Sequence, residues 1–165
     1  MIDEEGKVIS PYFFLDIAKK SKLYHSLTKA VVTSAFEVFS QLPDVSFSIN
    51  FSVEDLIHKA TIEFLKEKMA EHNMASRLVL EIVESEGIDN FNEIIPLVSD
   101  LKALGCKIDI DDFGMGYSNF AYLMQIDVDF IKIDGSLIKL IDHYPNSKII
   151  SHTIMDLSKH LEFVT

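Results

Sequence analysis

The chain has 165 residues, 48% of them hydrophobic, which suits one domain spanning residues 1–165. Its 26 acidic residues outnumber its 15 basic residues, and the net charge of −11 argues against binding of a nucleic-acid polymer through its phosphates. The sequence has neither a signal peptide nor an apolar run near the ~20 residues of a membrane helix. Together with the single cysteine, Cys106, this predicts a cytoplasmic segment without membrane contact.

Helix-like and strand-like patterns alternate along the chain. Apolar residues recur at helical spacing in residues 11–21 and 26–42, and residues 45–52 alternate strictly, as in a strand. The later predictions are helices over residues 53–73, 90–105, 117–125 and 147–161, and strands over 77–85, from 107, over 130–135 and beginning at 162–165. Asn73 and Gly105 are typical helix ends. Strands separated by such helices predict an α/β fold with a parallel sheet.

Polar residues lie in or at the ends of four successive predicted strands. They are Asn50, Glu81, Asp111 with Asp112, Lys132 and Asp134. Ligands of parallel sheets bind at the carboxyl ends of the strands, so these side chains are expected to form one site.

The segment KIDIDDFGMG, residues 107–116, carries three aspartates in an otherwise apolar strand. Asp109 and Asp111 share one face by alternation, and so much negative charge is costly unless a cation is near. Asp109 lies one pleat deeper than Asp111 and has no assigned role; pairing with Lys132 is one explanation for it. Gly114 and Gly116 let the following loop turn sharply.

An amide and three carboxylates are oxygen donors that suit Mg²⁺ or Mn²⁺. Asp111 and Asp112 could serve two metal ions in phosphoryl displacement, and Lys132 could hold the attacking water or stabilise charge on the phosphate. Lys132 could also simply neutralise the surplus of acids. No histidine or cysteine lies at these strand ends, which makes zinc less suitable. The six histidines fall on predicted helices or loops, where surface positions are expected.

Receiver domains offer a rival interpretation, because they also bind Mg²⁺ with an aspartate pair, a further acid and a lysine at strand ends. In those domains the acid pair lies on the first strand. Here the pair follows Glu81 by about one βα unit, so the order disagrees.

Five segments resemble the motifs of the EAL domain, the cyclic di-GMP phosphodiesterase family with a modified (β/α)₈ barrel. DDFGMGYSN is similar to the family's DDFGTGYSS, FIKIDGSLI to IKIDRSFV, LVLEIVES to LEITES, and INFS to VNLS. The early segment ISPYFFLDIAKKSKL also resembles the family pattern, and all five follow the family's order.

The resemblance implies a hydrolase that converts cyclic di-GMP, a bacterial second messenger in signal transduction, to linear pGpG with Mg²⁺ or Mn²⁺. By position, the residues that match the family's metal ligands are Asn50, Glu81, Asp111 and Asp112. Lys132 matches the catalytic lysine, and Asp134 lies where it could contact substrate or support the ligands. Glu84 matches the glutamate that anchors the loop after the aspartate pair, a loop linked in the family to dimerisation.

The chain departs from the family pattern at several positions. Met115 replaces a threonine, Val83 replaces the threonine of the ExTE motif, and Gly135 stands where arginine is common. Asp109 stands where a small or apolar residue is usual. These departures concern the ordering of the loop more than the binding of metal.

The EAL tripeptide should precede this segment, and the EGVE and QG motifs should follow it. The family barrel needs about 250 residues, so we expect a partial TIM-like barrel, open because terminal strands are missing, from a longer parent with sensory or GGDEF domains. The isolated chain should then be nearly inactive, and its unpaired sheet edges should favour a homodimer or other self-association. The alternative is a degenerate EAL domain that senses cyclic di-GMP or binds another protein without catalysis.

Overall fold

The computed structural model describes residue 2 and residues 4–83, 91–114 and 125–165. Four strands form its sheet: β1 (Phe47–Phe51), β2 (Leu78–Val83), β3 (Lys107–Phe113) and β4 (Phe130–Ile133). The helices are α1 (Leu15–Lys20), α2 (Tyr24–Ser40), α3 (Val53–Ile57), α4 (Lys59–His72), α5 (Phe91–Ala103), α6 (Gly135–Lys139) and α7 (Pro145–Leu161), with 3₁₀ turns at Pro11–Phe13 and Ala75–Arg77.

The sheet is parallel throughout, with the strands in chain order β1-β2-β3-β4. Neighbouring parallel strands need crossover connections, and helices provide them between β1 and β2 and between β2 and β3. The prediction of an α/β fold with a parallel sheet is confirmed, and within the described residues the sheet does not close into a barrel.

The two faces of the sheet differ sharply in polarity. One face carries the buried apolar side chains of the strands, such as Phe51, Leu80 and Ile108, and the helices cover it. Each such side chain contributes roughly 1.5–3 kcal/mol when it is buried. The opposite face carries exposed Ser48 and Asn50 at its β1 side and the charged residues of β2 to β4. Alternation along each strand therefore leaves a polar face available for a site.

The predicted helix over residues 53–73 is divided in two, which corrects the sequence prediction. Ser52 caps α3 in a capping box with Asp55, and His58 adopts an extended conformation (φ −80°, ψ 97°) that separates α3 from α4. The second helix ends at Asn73, which has left-handed φ and ψ of 53° and 44°, as the sequence predicts. At the break, His58 Nδ1 lies 2.8 Å from Thr61 Oγ1 in the first turn of α4, a contact that helical periodicity does not predict.

Two further differences lie near the carboxyl end of the chain. The short helix α6 has no counterpart in the sequence prediction, and Asp134 caps its first turn. The predicted strand at residues 162–165 is represented by a parallel bridge between Val164 and Phe130, with the Ile131 amide donating to the Val164 carbonyl at 2.8 Å. Of the predicted helix over residues 117–125, residues 117–124 lie outside the described part.

A membrane-crossing helix is not found among the described residues, since none of their helices is both long and apolar enough.

Candidate metal centre

The strand register brings the polar residues of the sheet into one row. Asn50 pairs with Glu81 across β1 and β2, and Glu81 pairs with Asp109 across β2 and β3. Asp111 lies one pleat further along β3, opposite Val83. Because paired residues of parallel strands point to the same face, Asn50, Glu81, Asp109 and Asp111 all lie on the face that the helices leave uncovered.

Lys132 on β4 lies at the centre of the carboxylates. Its Nζ is 2.8 Å from Glu81 Oε1, 3.1 Å from Asp109 Oδ2 and 3.8 Å from Asp111 Oδ2. The lysine side chain is 46% exposed, whereas the Glu81 and Asp109 side chains are largely buried. The pairing of Asp109 with Lys132 suggested by the sequence is therefore found in the structure.

Burial and the charged hydrogen-bond partners have opposite effects on the pKa values of Glu81, Asp109 and Lys132. Burial alone would raise the pKa of Glu81, but hydrogen bonds from Lys132 and Ser48 and the lysine charge lower it below its usual value. At Asp109 burial prevails over the hydrogen bond and charge of Lys132, so the pKa of its carboxyl is raised. Burial disfavours the charged lysine, yet its hydrogen bonds to Glu81 and Asp109 raise the pKa of Lys132. Lys132 therefore remains a cation at neutral pH.

An irregularity in β3 sets the position of Asp112. The pairing of β3 with β4 shifts between Ile110 and Phe113, and Asp112 has a left-handed φ of 56°. Its amide donates to Asp111 Oδ1 at 3.0 Å. Burial raises the pKa of Asp112, and the negative charges of Asp111 and Asp134 raise it further. The carboxyl of Asp112 therefore interacts electrostatically with the acids at the ends of β3 and β4. A bulge of this kind re-aims a side chain that regular alternation would send to the other face.

Asp134 contributes to local structure at the end of β4. Its Oδ1 accepts the Ser136 amide at 2.6 Å, and its own amide donates to the Phe113 carbonyl at 3.0 Å. The hydrogen bonds from Ser136 lower the pKa of Asp134. The predicted loop anchor Glu84 lies outside the described residues, as do Met115 and Gly116.

The donor chemistry of this edge fits a hard divalent cation. Asn50, Glu81, Asp111 and Asp112 can each offer an oxygen ligand, and among the described residues the buried Oδ1 of Asp109 has no hydrogen-bond partner. The same part of the chain has no three acidic, histidine or cysteine side chains already arranged to hold a metal ion. Glu81, Asp109 and Asp111 instead each have one carboxylate oxygen within 4 Å of Lys132 Nζ.

A second polar cluster, which the sequence analysis missed, joins α2 to α3. The rings of His25 and His58 stack with centroids 3.8 Å apart, and His25 Nδ1 lies 3.3 Å from Asp55 Oδ1. The expectation of surface positions for all six histidines is therefore wrong for His25 and His58, which are half-buried, as is His72. No local sequence pattern signals a contact between residues 33 positions apart.

The chain is similar in sequence to known proteins along its whole length. The EAL domain family model matches residues 1–165. The chain is 30% identical over 159 residues to cyclic di-GMP phosphodiesterase PdeB of Shewanella oneidensis, covering 93% of this chain and 19% of that protein. It is 32% identical over 162 residues to probable cyclic di-GMP phosphodiesterase PdeG of Escherichia coli, covering 94% of this chain and 32% of that protein.

The structure is also similar to the PaMucR phosphodiesterase in its c-di-GMP complex, with a TM-score of 0.88 and 25% identity over 98% of this chain and 68% of that chain. This likeness confirms the prediction of a partial TIM-like barrel of the EAL type. The chain spans only 19% and 32% of the length of the two curated relatives. Because the family model matches all of residues 1–165, the chain belongs to the EAL domain family.

Proposed function

We propose that this chain is part of a metal-dependent phosphodiesterase that hydrolyses cyclic di-GMP to linear pGpG. The observation that carries the proposal is the convergence of Glu81, Asp109 and Asp111 on Lys132 at the carboxyl edge of a parallel sheet. The names of the curated relatives support this substrate, and the c-di-GMP complex of a similar structure supports binding at this fold.

In the proposed reaction Asn50, Glu81, Asp111 and Asp112 would hold Mg²⁺ or Mn²⁺. When bound, such ions would polarise the phosphate oxygens and lower the pKa of a water molecule. Lys132 would donate to the attacking water or stabilise negative charge on the phosphate. The uncovered polar face of the sheet supplies the surface on which the dinucleotide would lie.

One observation favours the alternative of a domain that binds without catalysis. Lys132 already contacts Glu81, Asp109 and Asp111, and the described residues hold no preformed metal cluster. A degenerate domain would keep these lysine–carboxylate contacts and bind cyclic di-GMP or a protein partner without hydrolysis. A catalytic domain would exchange the ammonium contacts for metal contacts when Mn²⁺ is added.

Titration of this chain with Mn²⁺ by isothermal calorimetry separates the two functions. Even the outer partners of metal ligands typically contribute about 10–100-fold to metal affinity, so we expect Asp111→Asn to weaken Mn²⁺ binding at least about tenfold. The matched control is Asp156→Asn, an exposed acid on α7 that should leave the affinity unchanged. An unchanged affinity in Asp111→Asn would remove the ligand assignment.

Hydrolysis itself is best measured on the longer protein that contains this segment, since the chain spans a small part of its relatives. We expect Mn²⁺-dependent formation of pGpG from cyclic di-GMP, lost in Lys132→Met. Tight binding of cyclic di-GMP without any turnover would favour the degenerate domain. The homodimer, the additional sensory or GGDEF domains and the cytoplasmic location remain predictions.

A further inference from the structure

Asp109 is the most unusual member of the charged row. It is 3% exposed, lies level with Glu81 and one pleat below Asp111, and occupies a position where the family pattern has a small or apolar residue. Its Oδ2 is 3.1 Å from Lys132 Nζ, and its Oδ1 has no hydrogen-bond partner within residues 4–83, 91–114 and 125–165. A buried carboxylate with one oxygen unsatisfied is costly, which indicates a role beyond packing.

The three carboxylates around Lys132 differ in what metal binding would require of them. Glu81 and Asp111 are assigned as metal ligands, and a carboxylate engaged by a divalent cation holds an ammonium group less well. Asp109 lies deeper and belongs to no assigned ligand position. After metal binding it is the partner that can still hold Lys132 on the sheet.

We propose that Asp109 is a positioning residue that retains Lys132 when Glu81 and Asp111 turn toward a divalent cation. By satisfying the ammonium group, Asp109 reduces the competition of Lys132 for the metal ligands and keeps the cation beside the place of the phosphate. This inference rests on the proposed function, because it uses the assignment of Glu81 and Asp111 as ligands.

A direct role of Asp109 in the metal site is the competing explanation, since its free Oδ1 is itself a possible ligand. The two roles differ in their dependence on Lys132. A positioning role acts through the ammonium group and disappears when that group is removed. A direct ligand contributes to metal affinity whether or not the lysine is present.

A double-mutant cycle on Mn²⁺ affinity tests the inference. The proteins are the unmodified chain, Asp109→Asn, Lys132→Met and the double variant, each titrated with Mn²⁺ by calorimetry. We expect Asp109→Asn to weaken binding about tenfold when Lys132 is present and less than about twofold in the Lys132→Met background. Lys132→Met alone should bind Mn²⁺ more tightly, because Glu81 and Asp111 are then released.

Thermal unfolding without metal shows whether each variant is folded. If Asp109→Asn does not fold, Asp109→Ala replaces it in the cycle, because alanine resembles the small residue usual at this position and buries no polar group. The metal-free unfolding data also give a coupling between Asp109 and Lys132 that does not depend on any metal.

The possible results separate the inference from the proposed function. Equal losses of Mn²⁺ affinity in both backgrounds would identify Asp109 as a direct ligand and overturn the positioning role. Mn²⁺ binding that is insensitive to Asp109→Asn would overturn it as well, while leaving the metal site intact. Absence of Mn²⁺ binding by the unmodified chain would overturn the proposed metal site and this inference with it, although the Asp109–Lys132 coupling in unfolding would persist.

Discussion

Two buried aspartates of this chain show how differently the same side chain is used in two regions. Asp55, at the junction of α2 and α3, is 0% exposed and has hydrogen-bond partners on both oxygens. Asp109, on the polar face of the sheet, is 3% exposed, and its Oδ1 has no hydrogen-bond partner in the described part of the chain. The hydrogen-bond environment thus separates them although their burial is nearly equal.

The partners explain the difference. The Ser52 hydroxyl donates to Asp55 Oδ2 at 2.9 Å, and Thr28 donates to Asp55 Oδ1 at 2.9 Å. These neutral donors join two helices and satisfy the carboxylate locally. Asp109 depends on one cation, Lys132, which it shares with Glu81 and Asp111. A satisfied buried acid is typical of structural roles, whereas one in a group of interacting charges is typical of functional sites.

The largest expected effect is the loss of stability when Asp55 is replaced. Asp55→Ala removes the capping box and the hydrogen bond from Thr28, so we expect a loss of about 2–4 kcal/mol in the free energy of unfolding. Urea denaturation measures this loss, and exposed Asp44→Ala is the control. Mn²⁺ affinity should not change. Weaker Mn²⁺ binding by a folded Asp55→Ala protein would contradict the separation of the two regions.

A smaller loss of stability is expected on the polar face of the sheet when Lys132 is replaced. Lys132→Met leaves the buried Asp109 carboxylate unpaired, and because Lys132 is 46% exposed we expect a loss of only about 1–2 kcal/mol. Adding Asp109→Asn should restore most of the stability, as measured by urea denaturation without metal. A double variant that is less stable than Lys132→Met would show that the pair is not a coupled unit.

The smallest expected effect is on how the stability of the folded chain depends on pH. Burial raises the pKa of Asp109 above 3.8, so the folded state binds this proton more tightly than the unfolded state does. Its stabilising contribution is present at low pH and is lost as pH rises from 3.8 through the raised value. Relative to the unmodified chain, Asp109→Asn should therefore gain stability over that range, by less than about 1 kcal/mol.

Metal-free denaturation with EDTA at several pH values measures this difference, with Asp156→Asn as the control. A relative gain in stability as pH falls, rather than as it rises, would contradict the raised pKa.

Much of this fold could be predicted from local patterns. The alternation in β1 and the apolar spacing in α2, α4 and α5 depend on which residues face the core, and the burial found for these elements follows that spacing. The break at His58 and the short helix α6 could not be predicted by periodicity. The break coincides with contacts of the His58 ring to Thr61 and His25, and α6 begins at a cap made by Asp134.

For the site, the sequence by itself determined which residue types stand at the strand ends and which face Asn50, Glu81 and Asp111 take, because strand periodicity is a local property. It also determined the family, through five short motifs in a fixed order. Only the tertiary structure decided that Lys132 binds Glu81, Asp109 and Asp111 together, since register, the bulge in β3 and burial are set by packing between distant segments. The same reason explains why the stacked His25 and His58 were not predicted.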